Sequence, residues 1–133
     1  MPNWIKAFCA AGLIIISIEC NAQINLPSLA EEDIKENITV KTLQHDSLSS
    51  SFLIVIKNYV PLHKHLHHAE HVYIIEGSGD MVLGDRNFEV KAGDYVFIPK
   101  NTPHSVKVHE GEMLKVISIQ SPYFDGTDRI SLE

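Results

Sequence analysis

Cysteine is nearly absent from this sequence: Cys9 and Cys20 are the only two, and both lie near the amino terminus. The rest of the chain therefore has no disulfide available and is held together by its core or by a metal. Positive charge is also scarce. Eleven Lys and Arg stand against 17 Asp and Glu, a formal charge of −6, with no basic cluster. That excludes a nucleic-acid partner, because binding phosphates takes clustered cations. Long apolar runs are missing too. The longest, Ala7 to Ile18, falls short of the roughly 20 residues a bilayer-spanning helix needs, and Glu19 ends it. Helical periodicity beyond about two turns is absent from Ile38 onward. What remains is ordinary: 133 residues, 44% hydrophobic and 21% charged, enough for one domain and incompatible with global disorder.

Residues 1–22 read as a signal peptide. Lys6 precedes the apolar run, and Cys20-Asn21-Ala22 places small residues at the cleavage positions, so the mature chain is expected to start at Gln23. The product would be periplasmic or secreted, with no transmembrane segment left after cleavage. A lipid anchor on Cys20 is the alternative, and Glu19 beside it fits lipoprotein processing poorly. Residues 23–37 form a lead-in with one short helix, from a possible capping box, Ser28 and Glu31, with Leu29 and Ile34 as its buried contacts. Residues 38–133 are the barrel domain.

That domain is predicted to be all-β and antiparallel. Strands are expected near 38–44, 50–60, 70–76, 79–83, 87–91, 94–98, 104–109 and 112–120, with a turn from Pro61 to Ala69. Regularly spaced short strands without helices indicate a sandwich or small barrel.

Histidine is abundant. Of eight, five fall at 63, 65, 67, 68 and 71. His63 and His65 are two apart on an extended segment, so both imidazoles project from one face. A hairpin tip, Leu66 to Ala69, would bring Glu70 back beside them. His104 alternates with Val106 and Val108 and so faces the interior; alone it reads as a core histidine, but with the others it supplies a third imidazole. His63, His65, Glu70 and His104 are thus the candidate ligands of one divalent transition metal, Fe, Mn, Zn, Ni or Cu.

These residues also carry a resemblance. His63-Lys64-His65, four residues, Glu70, six residues, Gly77 matches the first motif of the cupins. Gly93, five residues, Pro99-Lys100-Asn101, two residues, His104 resembles the second. Lys57, Asn101 and Val108 stand where the family has Gly, Gly and Asn. Asn101 is a mild change, since Asn tolerates a left-handed turn. The chain is similar to small single-domain bacterial cupins of the conserved-barrel type from roughly Phe52 to Gln120, and its tail, SIQSPYFDGTDRI, is similar to theirs. The resemblance implies a jelly-roll β-barrel, a metal on those four ligands and a homodimer paired through sheet edges; residues 23–44, with the extended Ile38 to Gln44 segment, are the candidate edge. The rival register, His65 with His67, leaves too few residues before Glu70. His67 and His68 then become rim residues and His71 faces away from the metal.

Three functions fit this pattern. One is a metal-dependent enzyme, dioxygenase- or isomerase-like, acting on a small organic molecule. Another is a non-catalytic module binding a sugar or other small molecule. In the third the metal is purely structural. Catalytic residues beyond the ligands are not legible. Ile74, Val82, Leu83, Phe97, Val106 and Val108 are the candidate walls of a mostly apolar pocket.

Overall fold

The structure is a computed structural model and describes residues 23–26 and 34–132. The expected signal peptide and the capping box Ser28–Glu31, with Leu29, lie outside the described residues. Ile34, the other expected contact of the lead-in, is buried. No α-helix occurs among the described residues.

Alternating apolar side chains fold the chain into two five-stranded antiparallel sheets. The first takes β1 (Ile38–His45), β2 (Ser50–Ile56), β9 (Leu114–Ser121), β4 (Ala69–Glu76) and β7 (Tyr95–Ile98), in the order β1-β2-β9-β4-β7. The second takes β3 (Tyr59–Lys64), β5 (Ser78–Leu83), β6 (Arg86–Lys91), β8 (His104–Val108) and β10 (Ile130–Ser131), in the order β10-β3-β8-β5-β6. The inner faces of both sheets meet in one core that includes Ile56, Ile74, Met81, Val90, Ile98 and Leu114. Burying a side chain of this size contributes about 1.5–3 kcal/mol, which lets the barrel stand without a disulfide. This is the expected all-β jelly-roll barrel.

The predicted strand 50–60 is in fact two strands in different sheets. The corner between them is Lys57-Asn58, braced by Asn37. Its Nδ2 donates to Tyr59 O at 2.8 Å, and its Oδ1 accepts from the Asn58 and Tyr59 amides at 3.0 and 3.3 Å. The predicted turn from Pro61 is likewise strand as far as Lys64. Pro61 sits where the β3–β8 ladder shifts register, between Val60 and His63, so its missing N–H breaks no ladder bond there.

Two expected pocket walls face the wrong way. Opposed residues in a ladder share a face. Glu70 opposes Ile98 and Val72 opposes Val96, so Ile98 and Val96 turn inward. Phe97 is therefore on the outer surface, 46% exposed, beside His71. In β5, Met81 opposes Val106 and Leu83 opposes His104, which sends Val82 outward. Leu83 packs against the core and Val108 belongs to it, but neither of these expected walls lines the cavity inside the barrel.

Gly77, between β4 and β5, has φ +84°, and a Cβ there would lie 2.0 Å from the Met113 carbonyl oxygen. No other residue fits that turn.

Candidate metal centre

His63 and His104 are directly opposed across the β3–β8 ladder, with ring centroids 4.1 Å apart. His65, one step beyond β3, shares their inward face. One ring nitrogen from each of the three buried imidazoles lies within 4.8 Å of the others. Glu70 arrives differently from the expectation. The tip after His65 crosses between the sheets, and β4 pairs with β7 and β9 rather than with β3. Its carboxylate therefore approaches from the facing sheet, with Oε2 3.6 Å from His65 Nε2 and 3.4 Å from His104 Nε2. The four expected residues are thus brought together, three of them as a tight cluster and Glu70 as its cap.

The outer nitrogens of the three rings all face backbone carbonyls. His63 Nδ1 donates to Pro61 O at 2.8 Å, His104 Nδ1 to Thr102 O at 3.0 Å, and His65 Nδ1 to Asp128 O at 2.5 Å. A carbonyl only accepts, so each Nδ1 carries hydrogen and each neutral ring turns a bare Nε2 lone pair toward the cluster. His104 Nε2 is buried and makes no hydrogen bond. Glu70 Oε1 is held by the Ser118 hydroxyl at 2.5 Å, leaving Oε2 to face the imidazoles. Lone pairs converging on one point in an apolar interior need a cation between them, and a divalent metal fits this donor set.

The same crowding shifts the titrations. Burial, then the neighbouring His104, pushes His63 down to about 4. Burial opposes the charged form of His65, but Glu70 and the Asp128 carbonyl outweigh it and raise that group. Burial alone would raise Glu70; the neighbouring His104 and His65 and the bond from Ser118 overcome it and hold the carboxyl well below the usual range.

Asn101 has φ +57°, the left-handed turn expected where the motif's glycine is replaced. Its amide donates to His65 O at 2.6 Å, tying the loop before His104 to the first histidine pair.

The tail after β9 supplies what the histidine pattern did not reveal. The Asp128 carboxylate accepts from the amides of Leu66 and His67 at 2.9 and 2.8 Å and from His68 Nδ1 at 2.6 Å. Burial opposes its charge, yet these bonds hold the carboxyl far below its ordinary value. His68 is therefore no rim residue: it is buried, its Nε2 bonds Tyr123 O at 2.8 Å, and Phe124 packs edge-on against it and His65. His67 is exposed and His71 bonds the Tyr95 hydroxyl on the outer face, both as expected.

Below the cluster opens a cavity of about 340 Å³, walled mainly by apolar side chains that include the expected Ile74 and Val106. Val82, Leu83, Phe97 and Val108 are not among them. Gln120, Phe124 and Arg129 line it as well, and none of the three was singled out from sequence.

The Cupin domain family matches residues 53–120. An uncharacterized protein of Methanocaldococcus jannaschii, MJ1618, is 40% identical over 72 residues, 54% of this chain and 58% of that protein. An uncharacterized protein of Aquifex aeolicus is 32% identical over 98 residues, 74% of this chain and 80% of that one. Among solved structures, Pac13 of Streptomyces, a nucleoside dehydratase, has a TM-score of 0.64 at 15% identity, covering 73% of this chain and 79% of its own.

Proposed function

The chain belongs to the cupin family, and on that footing we propose that it holds one divalent transition metal on His63, His65, Glu70 and His104 and acts on a small organic molecule in the barrel. The observation that carries this reading is the position of the cluster. Three inward lone pairs and a carboxylate stand beside a cavity of about 340 Å³, the size of a small-molecule site. A purely structural metal has its positions closed by protein and needs no such space.

Bound there, the metal supplies Lewis acidity to a ligand oxygen. The protein's residues do the rest. The backbone carbonyls of Pro61, Thr102 and Asp128 fix the ring tautomers, Ser118 fixes the carboxylate, and Phe124 and the apolar walls exclude water. Among the described residues, Lys64 and Lys107 do not line the cavity, and Glu70 is the only carboxylate that does. Glu70 is thus the residue to carry a proton, which suits isomerisation or dioxygen chemistry on an enolisable compound. A barrel of the same fold serves a nucleoside dehydratase in Pac13.

Export through residues 1–22 and a homodimer belong to the same proposal. β1 is an edge strand, paired with its own β2 on one side and with no strand among the described residues on the other. Such an edge is a template for a second copy.

Metal analysis of the dialysed protein tests the reading: one equivalent is expected in the wild type and almost none in His104→Ala. A panel of small carbonyl and phenolic compounds then separates turnover from binding. A wild type that holds no metal would contradict the proposal.

A further inference from the structure

Besides the metal-facing His104 nitrogen, Gln120 Oε1 and Arg129 are polar groups lining the cavity with no hydrogen-bond or ion-pair partner among the described residues. Gln120 is directly opposed to Glu70 across the β4–β9 ladder, so its side chain shares the interior face. It is 6% exposed, lines the cavity, and its Oε1 makes no hydrogen bond. A buried carbonyl oxygen left unpaired is costly, and native structures keep few of them. The second group is Arg129. Ser131 opposes His63 and Ile130 opposes Lys64, so alternation puts Arg129 on the His63 face, at the open side of the cavity it lines. It forms no ion pair among the described residues. The nearby acids are otherwise engaged: Asp128 holds Leu66, His67 and His68, and Asp125 holds Thr127.

We propose that the cavity takes a small hydroxycarboxylic acid, with its carboxylate on Arg129 and its hydroxyl donating to Gln120 Oε1. The assignment rests on the metal reading above and names its ligand class. A divalent ion on one carboxylate and three neutral imidazoles leaves the centre positive, and Arg129 adds to that charge. An anion offsets part of this charge in walls that offer little else polar. Guanidinium matches carboxylate in a paired geometry that no other side chain supplies. Gln120 Oε1 accepts only, so its complement is a donor: a hydroxyl beside the carboxylate, with the apolar body directed into the barrel.

Calorimetric titration of zinc-loaded protein tests this, with zinc assayed in the same samples. The probes are lactate, mandelate and 2-hydroxyisocaproate, each beside its amide, and phenylacetate beside mandelate. At least one acid should bind about tenfold or more tightly than its amide, as a charged hydrogen bond requires. Arg129→Met, at an exposed position, should remove most of that preference, leaving only what the positive metal centre contributes. Gln120→Leu should abolish the preference for mandelate over phenylacetate without lowering the melting temperature, because it removes an unpaired acceptor. If Gln120→Leu does not fold, the Arg129 arm decides alone. Equal affinity for every acid and its amide in protein that retains zinc would overturn the proposal and leave the metal reading intact, as would a preference undiminished by Arg129→Met. Protein without zinc would overturn both.

Discussion

Asp128 accepts the Nδ1 hydrogen of His65 on its backbone oxygen while its carboxylate holds His68. A tail residue thus orients a candidate metal ligand 63 positions earlier in the chain. Partners of this kind fix ring orientation, and their loss typically lowers metal affinity by about 10- to 100-fold.

The Asp128 carboxylate anchors the segment that carries this carbonyl, so Asp128→Ala should weaken metal binding by about tenfold or more without changing its stoichiometry. His68→Ala should keep the metal too, yet lower stability by about 1–3 kcal/mol, because it leaves buried partners unpaired. Competition with a chelator and denaturant unfolding read the two effects. Loss of the full equivalent of metal in His68→Ala would restore the rival ligand register.

Gly77→Ala should be among the most damaging single changes. The added Cβ would sit 2.0 Å from Met113 O at a φ of +84°. Strain and clash together should cost at least about 2–3 kcal/mol, measurable as a fall in the denaturant midpoint with unchanged slope.

Much of the site was legible because the ligands are local. His63, His65 and Glu70 lie within eight residues, and their spacing survives any error in strand ends. His104 was legible through its alternation with Val106 and Val108. Phe97 and Val82 were misplaced because Tyr95-Val-Phe-Ile98 and Met81-Val-Leu83 are apolar throughout; alternation has no phase there, and only the ladders with β4 and β8 set it. Pro61 reads as a turn unless the bulge beside it is known. Asp128, Gln120 and Arg129 act on residues far away in sequence, so nothing in their own surroundings marks them.

Without metal, stability should peak near pH 6.5. Between 6.5 and about 4 the unfolded chain takes up a proton on His63 that the folded site refuses, so stability falls as pH falls through that window. His65, raised in the fold, contributes fully below 6.5 and loses its contribution as pH rises through its folded value. Glu70 adds a further loss below its unfolded value of 4.5. Unfolding of the chelated protein across pH 4.5 to 8.5 checks the shape, and a flat profile would count against the cluster as described.

The central claim is an exchangeable metal position facing the cavity, and nitric oxide reports on it directly. Protein loaded with Fe(II) should bind nitric oxide and give a new paramagnetic signal of one spin system per chain. The signal should be absent in His104→Ala, and a small acid that occupies the cavity should diminish it. Protein that holds one iron per chain, binds no nitric oxide and melts far lower once the iron is removed would contradict the account and make the metal a closed structural staple.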